Sequence, residues 1–411
     1  MIVIKKDGTE QDFDINKVIK AVSKSAERCM YKFTKEEIAN ISNIVTSLAV
    51  NYAHDHEGKI PIKAMHNFAE QALDSIDEKI AKSYRDYRNY KVDFRDMLDS
   101  IYRKSQSIRY IGDISNANTD SAMISTQRSL IYGQLNKNLY QKFFLNKEEL
   151  QAANEGYIYI HDMKDRLDGI NCCLCDMGNI LKGGFEMGNQ WYNEPKSLDV
   201  AFDVISDVTV SAAAQQYGGF TIPRIDTILA PYAEKSYKIY HDEYIDMSQE
   251  IIDKSDEIVI SKLSLETLAD KYARRKVRRD FEQGFQSWEY IFNTVGSSRG
   301  DYPFIAISFG IDTSEWAIMA TEVCLKVRAK GQGKKGFEKA VLFPKLNFLY
   351  DENLHGEGKK YEYLYDEALK CSAKAMYPDF LSLTGKGYIP SIYKKYGKVI
   401  SLMGKLIPAH L

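Results

Sequence analysis

Three cysteines crowd one short stretch, Asn171-Cys172-Cys173-Leu174-Cys175, and their chemistry is the least generic that this chain offers. A thiol can donate a hydrogen atom, act as a nucleophile once ionised, or bind a soft metal. The stretch from Ile170 to Leu174 reads as a strand, in which successive side chains point to opposite faces. Cys172 and Cys173 therefore cannot line the same cavity, whereas Cys173 and Cys175 share a face. Cys172 and Cys175 form a lone CxxC; a structural zinc needs four ligands, so no metal site is expected. Cys173, Cys175, Cys324 and Cys371 suit the commonest fate of free cysteine, a small buried apolar residue, and Cys29 stands apart. Cysteines spaced this way are no disulfide framework, which points to a reducing compartment, the cytoplasm.

The elements that hold these residues divide into two parts. Residues 1 to 95 read as a small module: a β-hairpin signal (Ile2 to Ile4, the Asp7-Gly8 turn, then Asp12 to Phe13) followed by helices. Asn16 is the candidate cap of a helix from Lys17 towards Ala26. Thr34 and Glu37 have capping-box spacing, and Ile62 to Arg88 forms a third apolar-periodic stretch. Residues 96–411 read as a larger α/β domain. Strand candidates are Tyr157 to His161, Ile170 to Leu174, Phe304 to Phe309 and Ala340 to Tyr350. They alternate with long helical stretches, Leu198 to Gln216, Tyr240 to Asp280 and Ser314 to Ala329.

Composition excludes some classes of function. With 55 Lys plus Arg against 57 Asp plus Glu, there is no charge excess to draw nucleic acid or an anionic membrane. The hydrophobic fraction of 44% suits a substantial core, and no apolar run is long enough to span a membrane. Gly-rich turns at 183–184, 218–219 and 331–333 could present backbone amides to phosphates, although glycine more often just permits a turn. Ser297, Ser298 and Arg299 lie between a helix and a strand, a common place for substrate phosphates at the end of a barrel. Asn116 and Asn118 read as loop-stabilising, and His161-Asp162 as structural rather than hydrolytic.

The opening VIKKDG, with Phe13-Asp14, Lys17-Val18-Ile19 and Ala21, resembles the ATP-cone, a regulatory nucleotide-binding module of ribonucleotide reductases. That resemblance implies effector binding of ATP or dATP through Val3, Lys5, Lys6, Lys17 and His66. Physically, Lys5 and Lys6 beside a tight turn and Lys17 one helical turn onward could converge on a triphosphate. Ile62, four before His66, stands where related cones often carry a hydroxyl residue.

The rest of the chain resembles the anaerobic (class III, glycyl-radical) ribonucleoside-triphosphate reductases. The residues that carry this are GYIYIHD (156–162), NCCLCDMGNILKGGFEMGN (171–189), EPKSLDVA (194–201), QQYGGFTIPRIDTILAPY (215–232), NTVGSSRGDYPF (293–304), LFPKLNFLYDENLHG (342–356), YPDFLSLTGKGYIP (377–390) and YGKVISLMG (396–404). The resemblance implies a ten-stranded α/β barrel around a finger loop, of which this chain would hold an incomplete version. It implies reduction of ribonucleoside triphosphates by a thiyl radical, chemistry that a closed cavity shields from solvent. In that scheme Cys172 is the strand cysteine that donates hydrogen, with Asn171, Ser297, Ser298 and Arg299 near the substrate, and formate or a thiol system supplies electrons. A homodimer and a radical-SAM activating enzyme are the implied partners.

After Met403-Gly404 the family continues into the radical cysteine, but here Lys405 follows and KLIPAHL no longer matches. The expectation is a chain without the thiyl residue, the glycyl-radical segment or the zinc-binding cysteine pairs of the family, and inactive by itself. Two rival readings are a nucleotide-binding fragment or subunit of a split reductase, and another glycyl-radical enzyme of the formate-lyase type. The VIKKDG opening speaks against the second.

Overall fold

The computed structural model describes residues 1–110, 122–167, 169–254, 262–294, 302–397 and 399. They form two compact units, Met1–Arg103 and Lys104–Leu411. The expected sites Asn116, Asn118, Ser297, Ser298 and Arg299, and the break at Lys405, lie outside the described residues.

The first unit runs β1 (Ile2–Ile4), β2 (Glu10–Asp12), α1 (Ile15–Arg28), α2 (Lys35–Asp55), β3 (Lys59–Pro61), α3 (Ile62–Asp74) and α4 (Glu78–Tyr110). The hairpin closes as its sequence suggests, with Lys5 N–H donating to Thr9 O and Gly8 at φ +82° in the turn. Asp14, rather than Asn16, caps α1: its carboxylate accepts from Asn16 N–H at 3.0 Å, so the helix starts at Ile15. The Thr34–Glu37 capping box is present in both directions. The stretch Ile62 to Arg88 is two helices rather than one, because Asp77 accepts from Lys79 N–H and starts a new helix after Ser75. β3 is a strand that the sequence concealed, since only Ile60 in it is buried; it pairs parallel to β1 and completes a sheet of order β2-β1-β3. Val22, Ile41, Val45, Ile60, Phe68 and Leu73 are among the core of this unit.

The second unit continues with α5 (Ile124–Phe143), α6 (Lys147–Asn154), β4 (Cys173–Leu174), α7 (Met177–Leu181), β5 (Phe185–Met187), β6 (Gln190–Tyr192), α8 (Leu198–Ala213), β7 (Phe220–Ile222) and α9 (Ile225–Asp253). Then come α10 (Lys262–Ile291), β8 (Ile305–Phe309), α11 (Glu315–Lys330), β9 (Lys345–Tyr350), α12 (Glu352–His355), α13 (Glu362–Ala375), β10 (Asp379–Ser382) and α14 (Tyr388–Tyr396). The chain is thus of the α/β class. Five strands make one parallel sheet of order β10-β9-β8-β7-β4; these are the strands seen where the resemblance implies ten.

Three expectations need correction here. Tyr157 to His161 is not a strand: the Tyr157 and Ile158 amides fold back onto Ala152 O to close α6, which leaves Tyr157 and Tyr159 exposed. The stretch Tyr240 to Asp280 belongs to two long helices, α9 and α10, not one. The strand expected from Ala340 begins only at Lys345, because Pro344 precedes it and cannot donate to a ladder. β7 and β10, short and embedded in motifs rich in glycine and proline, gave no strand signal of their own.

One face of the sheet is apolar. Phe220, Ile222, Ile305, Ile307, Phe309, Leu346 and Phe348 face a core built with residues of α8, α9, α10, α11 and α13, including Phe202, Leu229, Phe281 and Trp288. Within the same strands the alternate positions Thr221, Ser308 and Asn347 are polar and buried, and they point to the opposite face.

Candidate functional site

Cys172 stands immediately before β4, at the amino-terminal edge of the sheet. Cys173 N–H donates to Gly219 O at 3.0 Å and Cys175 N–H to Thr221 O at 2.9 Å, so β4 is registered against β7 with Cys173 opposite Phe220. That register sends Cys173 and Cys175 into the helix-covered core. Burial raises both thiols above the ordinary range, Cys175 to about 12, which makes them poor nucleophiles at neutral pH. Cys324 is raised well above its usual value and Cys371 to about 11, again by burial.

Cys172 differs: half-buried, it is outside that core and on the polar face with Thr221, Ser308 and Asn347. Its S–H donates to Asn171 Oδ1 at 3.2 Å, and Gly219 N–H donates to its sulfur at 3.3 Å. Asn171 O in turn accepts from Gly218 N–H at 2.7 Å. A cleft of about 200 Å³ is lined by Ser129, Tyr132, Asn136, Asp165, Gly169 and the run Ala214 to Tyr217, residues that precede the pair and the Gly218-Gly219 turn in the chain. The structure therefore brings together Asn171, Cys172 and the Gly218-Gly219 turn. That turn holds the thiol through the Gly219 amide and the Asn171 carbonyl through the Gly218 amide, a use of its glycines different from the phosphate contact considered above.

The polar file Thr221, Ser308 and Asn347 was missed in the sequence. A signal existed, since each is a single polar residue inside an apolar run, in Phe-Thr-Ile, Ile-Ala-Ile-Ser-Phe and Leu-Asn-Phe-Leu. Just past β7, Arg224 sits at φ +54° and donates its N–H to Ser308 Oγ at 3.0 Å. Asp226 follows fully buried, accepting from Gly310 and Thr227 amides; burial nevertheless pushes its carboxyl up to about 6.

In the first unit the expected effector residues occupy the hairpin and two helices. Val3 is partly buried on β1, while Lys5, Lys6 and Lys17 are exposed. His66 on α3 has Nδ1 2.8 Å from Tyr84 Oη. Burial lowers its pKa, and the Arg88, Lys6 and Lys91 charges lower it further. Lys6 thus joins His66 in one electrostatic neighbourhood, whereas the Lys5 charge acts on Asp7 in the turn. Tyr84, Arg88 and Lys91, spaced i, i+4 and i+7, form one face of α4 and were missed. Arg88 is also ion-paired to Glu70 at 3.2 Å. Among the described residues no group of His, Cys, Asp and Glu is placed to hold a metal ion, and no helix is long and apolar enough to cross a membrane.

The family model for anaerobic ribonucleoside-triphosphate reductase matches residues 115–404, and the ATP cone domain model matches residues 1–92. The chain belongs to the anaerobic ribonucleoside-triphosphate reductase family. Among its relatives, the anaerobic ribonucleoside-triphosphate reductase of Haemophilus influenzae is 30% identical over 393 residues, covering 92% of this chain and 52% of that protein. The enzyme of the same name from Enterobacteria phage T4 is 34% identical over 271 residues, covering 65% of this chain and 41% of its own length. The chain thus spans about half the length of the curated relatives it matches. A crystal structure of the anaerobic ribonucleotide reductase from Thermotoga maritima in complex with dATP and CTP is similar over 72% of this chain and 49% of that one, at 15% identity and a TM-score of 0.43.

Proposed function

We propose that this chain serves the reduction of ribonucleoside triphosphates to deoxyribonucleoside triphosphates without oxygen, with residues 96–411 as its catalytic part. The observation that carries the proposal is the placement of Cys172: of the three clustered thiols it alone avoids the helix-covered core and is held by neutral polar groups. Hydrogen donation to a ribose carbon radical requires an intact S–H bond, and a thiol beside an amide acceptor keeps its proton better than one beside a cation. Asn171, with Ser297, Ser298 and Arg299, would hold the nucleotide, and formate or a thiol would restore the electrons. A glycyl radical, made by a radical-SAM activating enzyme, would begin the reaction in a cytoplasmic homodimer.

Residues 1–95 would bind ATP or dATP as effectors. Here Lys6, with Arg88 and Lys91 around His66, supplies the cationic surroundings that a polyphosphate needs. Calorimetric titration of the whole chain with ATP and dATP should give saturable heat that Lys6→Ala weakens several-fold. A flat isotherm would remove the effector reading. The catalytic reading is tested in the activated enzyme supplied with the radical-bearing segment of the family, where Cys172→Ser should abolish anaerobic deoxyribonucleotide formation; turnover retained by that variant would overturn it.

A further inference from the structure

The cradle of Cys172 has three walls, and each is a separate observation. The thiol donates to Asn171 Oδ1 at 3.2 Å. The Gly219 amide donates to the sulfur at 3.3 Å from the neighbouring strand. Between them, Gly218 carries no side chain, and a Cβ there would run into both the Cys172 sulfur and the Asn171 amide oxygen. The glycine therefore leaves room for the sulfur and for the side chain that accepts its proton.

An Asn side chain at the position before a strand cysteine would ordinarily point to the other face. Here β4 proper begins one residue later, at Cys173, and the looser backbone of Asn171-Cys172 lets the two side chains meet. An acceptor on the S–H stabilises the neutral thiol, whereas the Gly219 N–H favours negative charge on sulfur. The one acceptor and the one donor thus fix where the hydrogen lies as well as where the sulfur lies.

We infer that Asn171 is a positioning residue for Cys172: its side-chain carbonyl holds the thiol hydrogen in a fixed direction, in addition to any contact with a nucleotide. The inference deepens the reading of Cys172 as the hydrogen donor and rests on it for its purpose, but the interaction itself can be measured without turnover. Asn171→Asp puts a carboxylate where the neutral acceptor was and should move the pH profile of Cys172 alkylation upward by about one pH unit. Asn171→Ala removes the acceptor while the Gly219 amide remains, and should move the same profile downward by about half a unit.

The experiment is alkylation of the whole chain across pH, with Cys172 resolved from the other cysteines by peptide mass spectrometry. Opposite displacements in the two variants support the inference. Profiles that coincide with the native one, or that move the same way in both, overturn it. Should the alanine variant fail to fold, Raman difference spectra of native protein against Cys172→Ser provide the second measurement. The Cys172 S–H band is expected below that of a thiol without an acceptor, and a band at the free position overturns the inference. Opposite displacements together with no deoxyribonucleotide formation in the activated enzyme supplied with the radical-bearing segment would count against the reductase reading alone.

Discussion

The two units handle polar chemistry in opposite ways. In the first, the lysines proposed to meet the effector, Lys5, Lys6 and Lys17, are exposed cations of a hairpin and a helix, where water and salt screen them. In the second, the proposed reacting group is a thiol held by an uncharged side-chain amide and a backbone N–H. A polyphosphate binds by attraction between full charges and tolerates an open surface. A hydrogen-atom donor needs a fixed S–H direction, which uncharged partners and the close approach at Gly218 provide here.

The largest effect should come from the buried charges of the second unit. Arg328 is 1% exposed; its Nε donates to Glu289 Oε1 at 2.6 Å and its Nη2 to Pro344 O at 2.7 Å. Glu289→Ala leaves this guanidinium buried without its counter-ion and should cost about 3–5 kcal/mol. The three tryptophans, Trp191, Trp288 and Trp316, all lie in the second unit, so their fluorescence in urea reads that unit selectively. An unchanged midpoint would mean that the pair is not closed off from water.

Next in size is a pH effect with opposite signs in the two units. Asp226 is raised to about 6 by burial, so its contribution to stability is fully present below the ordinary carboxylate range. It is lost as pH rises through 6, a change of about 3 kcal/mol. His66 is lowered, so its contribution is present above the ordinary histidine range and is lost as pH falls. The stability difference between native protein and Asp226→Asn, followed by tryptophan fluorescence, should fall between pH 4 and pH 7. A difference that stays constant with pH would contradict the burial of that carboxyl.

A smaller effect, about 1–3 kcal/mol, is expected from Gly218→Ala, which forces its new methyl against the Cys172 sulfur and Asn171. The same variant should change the alkylation rate of Cys172 and leave that of Cys29, in the first unit, as it was. The smallest effect belongs to the exposed pair Lys59–Glu10 of the first unit, 2.8 Å apart. Glu10→Ala should leave the unfolding midpoint of that unit unmoved within error, by far-ultraviolet circular dichroism. A clear loss there would erase the contrast between screened and enclosed charge.

The sequence revealed the two units and most helices because caps and apolar periodicity are local signals, as at Thr34–Glu37 and along α8 and α11. It concealed β3, β7 and β10, which span three or four residues and owe their existence to neighbours distant in the chain. Alternation was enough to separate Cys172 from Cys173, but the partners of Cys172 were not readable, since Gly219 arrives from another strand. In the first unit, His66 and Lys6 were expected from resemblance. Arg88 and Lys91 were not, because their relevance depends on α4 lying along α3, which no local pattern states.

The central claim is that Cys172, and not its neighbours, borders the nucleotide. It is tested most directly by alkylating the whole chain at fixed pH with and without a ribonucleoside triphosphate, each cysteine resolved by mass spectrometry. The account expects the nucleotide to slow modification of Cys172 while Cys29 reacts at its former rate. Equal rates at Cys172 with and without nucleotide, or protection that falls on Cys173 instead, would contradict it.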